Sequence, residues 1–172
     1  EGFPVGFIEE RPEAHIWDNA ALKYTNIPLI DGDPVTSSEG RFKRFGVSQE
    51  GTAFFMDLGA RFPLNRIVFF PRLEGSDEEG RPFVDDFIRS YDLSLNDGLN
   101  FNEEDVPIYS LLKKVDFTRE SLADTPFPLQ FIRYVSLRVN SANPFELAEI
   151  QLFGSGFAPS ASYVSTVIDL GE

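Results

Sequence analysis

Phe87-Ile88-Arg89-Ser90-Tyr91-Asp92-Leu93-Ser94-Leu95, closed by Asn96-Asp97-Gly98, is the stretch whose reading decides how this chain is built. Successive side chains of an extended backbone point to opposite faces, so Phe87, Tyr91, Leu93 and Leu95 share one face while Ser90, Asp92 and Ser94 share the other. One apolar and one polar face predict a half-buried strand. Asn96-Asp97-Gly98 supplies residues that tolerate positive φ, so a tight reversal follows.

The same signal recurs on both sides of this strand. Phe54 to Leu58 and Arg66 to Phe70 flank Gly59-Ala60-Arg61-Phe62-Pro63 and predict two strands joined by a short connection. Ile67, Val68, Phe69 and Phe70 run without a polar break, the pattern of a central strand covered on both faces. Over 131–139 the alternation places Phe131, Val135, Leu137 and Val139 on one side, and over 147–153 it places Ala148, Ile150 and Leu152 on one side. Residues 140–144 form the loop between them. The acid-rich stretches 74–86 and 100–106 read as exposed loops. Helical periodicity is hard to find, and the pattern predicts an all-β domain of packed antiparallel sheets.

The chain has 172 residues, of which 42% are hydrophobic and 14% aromatic, with 18 Phe. That is enough for one sizeable core and argues against disorder. A formal net charge of −13 argues against nucleic acid and anionic lipid as partners, because both are bound by clusters of Lys and Arg. An acidic surface suits hard divalent cations, salty surroundings and plain solubility equally well. The absence of cysteine excludes a disulfide framework, a thiolate metal site and a cysteine nucleophile. No run approaches the roughly 18 apolar residues of a membrane span. The chain begins at Glu1 without an initiator Met or a signal-like segment and reads as a processed or excised piece. The expected organisation is a lead-in over 1–19, a sandwich over 20–156, and a linker with the start of a following β module over 157–172. Val167 to Gly171 echoes Phe55 to Gly59, too short a match to make a repeat.

Three motifs stand in order along the chain: Leu29-Ile30-Asp31-Gly32-Asp33-Pro34-Val35-Thr36; Phe55-Met56-Asp57-Leu58-Gly59-Ala60 followed by Ile67-Val68-Phe69; and Arg133-Tyr134-Val135-Ser136-Leu137-Arg138 leading to Leu147-Ala148-Glu149-Ile150-Gln151-Leu152-Phe153-Gly154. With Tyr91 to Gly98 as the central strand and turn, they resemble the discoidin domains, also called coagulation factor 5/8 type C domains, and the related galactose-binding-like carbohydrate-binding modules. The resemblance spans about Ala20 to Gly154. It implies an antiparallel jelly-roll-like β-sandwich, a structural Ca²⁺ near one end and a ligand site on loops at the sandwich edge. The Cys pair that animal discoidin domains typically carry is missing, which points to a bacterial source.

Read from the residues alone, Asp31-Gly32-Asp33 is a plain turn with solvated carboxylates, and Glu149 faces water. The resemblance reverses this reading. Asp31, Asp33 and Thr36 crowd oxygens into one turn, where two carboxylates repel unless a cation lies between them. The family completes such a site with a glutamate at the place of Glu149, and the backbone carbonyls of Leu29 and Ala148 are candidates for further oxygens.

For a sugar, an exposed aromatic face and convergent polar groups are needed. His15, Trp17 and Asn19 form one candidate group, Arg41, Phe42 and Arg44 another, and Arg72 a third. Each has a plainer reading beside it: Trp17 as a core or capping residue, His15 as a surface residue without metal, and Arg41, Arg44 and Arg72 as offsets to the surrounding acids. With one His and no Cys, a nucleophilic triad would rest on His15 alone, so no enzymatic activity is expected. The expected function is a non-catalytic, calcium-stabilised module of an exported, extracellular or cell-surface protein that binds carbohydrate or cell-surface glycan, or serves adhesion. The rival is a structural module of a surface layer, stalk or filament that packs against neighbouring domains or identical subunits.

Overall fold

The computed structural model describes residues 15–18, 29–38 and 48–154. They form β1 (His15–Asp18), β2 (Ala53–Phe70), β3 (Tyr91–Asn96), β4 (Ser110–Val115), β5 (Ala123–Val139) and β6 (Glu149–Gly154). Every strand pairing is antiparallel and no α-helix occurs among the described residues. No described helix is long and apolar enough to cross a membrane.

Two long strands carry the architecture. β2 and β5 pair twice, first over Ala53 to Asp57 against Arg138 to Tyr134, then over Phe62 to Phe69 against Ile132 to Ala123. Between the Asp57–Tyr134 and Phe62–Ile132 pairs, β2 holds more residues than β5, so the ribbon bends there. The first half of the ribbon lies in the order β1-β2-β5-β3-β4, while the second half pairs with β6 along β2. The bend lays one half over the other. Phe69 of the second half meets Tyr91 of β3 edge-on at 4.9 Å, and Lys113 Nζ of β4 donates to Thr125 Oγ1 of β5 at 3.3 Å.

The core fills the space between these layers. Phe54, Met56 and Leu58 enter it from the first half of β2, Ile67 and Phe69 from the second, Leu93 and Leu95 from β3, Val135, Leu137 and Val139 from β5, and Ile150 and Leu152 from β6. Each fully buried side chain of this kind contributes about 1.5–3 kcal/mol relative to exposure. This is an antiparallel galactose-binding-like β-sandwich, as the alternation and the resemblance predict.

Several strand boundaries differ from the sequence-based expectation. The two strands expected around a 59–63 connection are one strand, Ala53–Phe70. Gly59 takes φ +72° and donates its N–H to Asp57 Oδ1 at 2.9 Å, so the chain kinks within the strand instead of leaving it. Phe131 points outward, 56% exposed, while Ile132 turns inward, because the register shift at the bend reverses which residues face the core. β5 also begins earlier than the alternation indicates, passing through Pro126 and Pro128. In that half β5 has β2 on one side and does not meet β3, so prolines sit on an unpaired edge where no N–H is needed.

One end of the sandwich gathers several loops. β6 starts beside the end of β2 with Phe70 opposite Glu149, and β3 starts beside the end of β5 with Tyr91 opposite Val139. Glu146 N donates to Asp86 O at 2.6 Å, Asn140 N to Ser90 O at 2.8 Å, and Ser38 N to Leu147 O at 2.8 Å. The 29–38 turn, the 71–90 segment and the 140–148 loop are therefore stitched to one another.

Candidate metal and ligand site

The 29–36 turn is held from both ends. Leu29 and Ile30 are buried in the core, and Gly32 takes φ +76°, a conformation that side chains disfavour. Asp31 Oδ1 accepts from Asp33 N at 2.9 Å, and Asp33 Oδ1 accepts from Val35 N at 2.9 Å, the self-bonding typical of Asp in turns. Thr36 Oγ1 donates to Asp31 Oδ2 at 2.7 Å. The turn meets the distant strand through Gly32 N, which donates to Glu149 Oε1 at 2.8 Å across 117 residues of sequence.

Glu149 is 1% exposed, so the reading in which it faces water does not hold. Alternation does turn it away from Ile150 and Leu152, but the 29–36 turn covers that side of β6. Burial pushes its carboxyl up to about 8, and the neighbouring Asp31 and Asp33 act in the same direction, against the Gly32 N–H that favours the charged form. No Lys or Arg among the described residues pairs with it. No three His, Cys, Asp or Glu side chains among the described residues converge tightly enough to hold an ion by themselves. What converges is the carboxylate pair of Asp31 and Glu149, with the Thr36 hydroxyl beside it, while one Asp33 oxygen faces its own turn. This is an all-oxygen donor set around an uncompensated buried carboxylate, and it fits a hard cation such as Ca²⁺ completed by backbone carbonyls. Leu29 and Ala148 are both fully buried next to these residues.

Three residues before Glu149 lies another buried glutamate with a different solution. Glu146 has no exposed surface, and its carboxylate receives both Arg72 Nε and Arg72 Nη2, the latter at 2.9 Å. The Arg72 guanidinium also lies 3.6 Å from the Phe83 ring centroid. Arg72 thus has a structural task in this fold. Of the other candidate ligand residues, His15 and Trp17 stand on β1 opposite Asp57 and Phe55 in register. Asn19, Arg41, Phe42 and Arg44, like the expected 157–172 linker and strand, lie outside the described residues.

Two features were not read from the sequence. The Arg72–Glu146 pair is one; its only sequence signal is an acid set inside the apolar run Phe145-Glu146-Leu147-Ala148. The second is a cleft of about 380 Å³ lined by Asp77, Arg81, Asp85, Asp86, Arg89 and Asn143. It draws on segments far apart in sequence, so no local pattern marks it.

No family model and no curated protein sequence matches the chain. Solved structures do. The family 32 carbohydrate-binding module of C. perfringens NanJ, in complex with galactose, is similar at TM-score 0.58 and 12% identity, over 89% of this chain and 99% of that one. A Clostridium perfringens module of the same family, CBM32-5, in complex with GalNAc-β-1,3-galactose, is similar at TM-score 0.59 and 15% identity, over 90% and 100%. A chitosan-binding module of a Paenibacillus chitosanase/glucanase, in complex with chitotriose, is similar at TM-score 0.58 and 12% identity, over 83% and 97%. Such identities speak for the backbone and not for the ligand. The chain has the discoidin-like, galactose-binding fold of the family 32 carbohydrate-binding modules.

Proposed function

We propose that the chain is a non-catalytic, calcium-stabilised glycan-binding module of a larger exported or cell-surface protein. The observation that supports this is the fold likeness over nearly the whole length of stand-alone modules whose structures hold galactose, GalNAc-β-1,3-galactose or chitotriose. A Ruminococcus gnavus fucosidase of which the match covers 27% shows the same fold carried inside a larger chain. Asp31, Glu149 and Thr36, with Asp33 and the carbonyls of Leu29 and Ala148, are the residues that would hold the ion. Calcium would supply charge compensation for Glu149 and a tie between the turn and β6, without taking part in any reaction.

A second reading, an assembly module without a soluble ligand, is favoured by exposed apolar side chains: Leu99, Val106, Ile108, Leu111, Leu129 and Phe131 are all at least half exposed. Ile108 and Leu111 line one pocket with Gln130, at the end of the sandwich opposite the 29–36 turn. Contiguous exposed apolar surface of this kind marks association sites. A glycan array run beside analytical sedimentation separates the two. Selective glycan binding by a monomer is the expected result; self-association with no glycan bound would replace the first reading by the second.

A further inference from the structure

The cleft between 77–89 and 141–144 is built from segments that are locked before any ligand arrives. Ser76 bridges Pro82, and Arg81 closes the turn by pairing with Asp77 at 2.8 Å and Glu79 at 2.7 Å. The 83–86 turn is fixed by Asp86 N donating to Phe83 O at 3.0 Å and by Glu146 N donating to Asp86 O. Asn143 Nδ2 donates to Phe87 O at 3.2 Å and Pro144 O at 2.8 Å, which pins the 140–144 loop against the start of the β3 strand segment. Walls tied in this way lose little freedom on binding.

Three side chains in this cleft lack the partners that their neighbours have. Arg89 is half-buried and its guanidinium lies 4.4 Å from the Phe87 ring centroid, yet it makes no hydrogen bond or ion pair with a described residue, in a chain of net charge −13. The exposed Asp85 carboxylate has no partner either. Asn143 Oδ1 is shut off from solvent without a donor, as is Ser141 Oγ in the same loop. Buried polar atoms are nearly always satisfied in native proteins, so an orphan beside a cleft marks a place where a partner is brought in.

We propose that this cleft is the sugar subsite of the module, in which Arg89 donates to, and Asp85 accepts from, adjacent hydroxyls of a neutral sugar ring, with Asn143 at the wall. The assignment rests on the glycan-binding reading above and goes beyond it by naming the residues and the ligand class. A volume of about 380 Å³ lies within the range of small-ligand sites. Three carboxylates, Asp77, Asp85 and Asp86, against two guanidiniums, Arg81 and Arg89, leave the lining slightly acidic, which favours a neutral ring over a carboxylated one. A planar guanidinium held on an aromatic ring presents donors in a fixed fork, as adjacent hydroxyl oxygens require.

The test is an NMR titration of the isotope-labelled chain with methyl galactoside, methyl N-acetylgalactosaminide and methyl sialoside, after a glycan array. Amide shifts concentrated at Asp85 to Ser90 and at Ser141 to Asn143 on adding a neutral glycoside are expected. Arg89→Ala should weaken binding about tenfold, the scale of one charge-assisted hydrogen bond, at an unchanged melting temperature. Arg89→Lys, which keeps the charge and the stacked stem, should weaken it less. Binding with shifts elsewhere, or with affinity indifferent to Arg89→Ala, overturns the subsite and leaves the glycan-binding reading standing. Preference for the sialoside overturns the neutral-ring assignment, and no binding to any array glycan overturns both. The wild-type shift map decides the matter even where a variant fails to fold.

Discussion

Glu146 carries its charge where no solvent reaches it, and the Arg72 fork is what makes that tolerable. Removing one partner of a buried pair leaves an uncompensated charge and costs about 3–5 kcal/mol, more than the pair itself contributes over an apolar replacement. Arg72→Ala should therefore destabilise the chain by about that amount in denaturant unfolding. The double variant Arg72→Ala with Glu146→Leu should recover most of the loss, because the stranded charge is gone. Little loss in the single variant would mean that Glu146 is neutral or solvated in solution. The contrast with Glu149 is instructive at the same scale. Glu149 is as buried, but its described partners are a backbone N–H and another acid. From residues alone its alternation pointed to water; only the resemblance placed it against the 31–36 turn, since nothing local reveals which segment covers a strand face.

At the scale of elements, legibility followed how regularly each strand meets its surroundings. The segment Phe87 to Leu95 has one wet and one dry face along most of its length, and it was readable. The strand Ser110–Val115 was not: it sits at the end of the sheet order, and Leu111-Leu112 followed by Lys113-Lys114 pairs like with like instead of alternating. Exposed edge strands with lysines follow the needs of solubility more than those of burial. The first part of β5 was hidden by its prolines, and the unity of β2 by the kink at Gly59. Tertiary pairing, not local propensity, decides such cases. The junction of β6 with β2 offers a sharp check. A Cβ on Gly154 would stand 2.3 Å from Pro63 O, a backbone atom that cannot swing aside. Gly154→Ala should thus push β6 from β2 and cost about 1–3 kcal/mol, lowering the denaturant midpoint at an unchanged slope. An unaltered midpoint would show that the end of β6 is not packed on the bend.

For the whole molecule, the ribbon of β2 and β5 gives both layers, and the segments between strands gather where β6 begins. The 29–36 turn, the Arg72–Glu146 pair and the cleft near Arg89 all belong to that end, so a single ion there would brace the surface on which ligands are proposed to land. The most direct measurement is thermal unfolding of metal-stripped chain with and without added Ca²⁺, in wild type and in Glu149→Gln. Calcium should raise the wild-type melting temperature, because an ion bound by the folded state alone stabilises it by mass action, and the rise should vanish in Glu149→Gln. A wild-type melting temperature indifferent to calcium, or an equal rise in Glu149→Gln, would contradict the claim that this glutamate and the Asp31 turn share a cation.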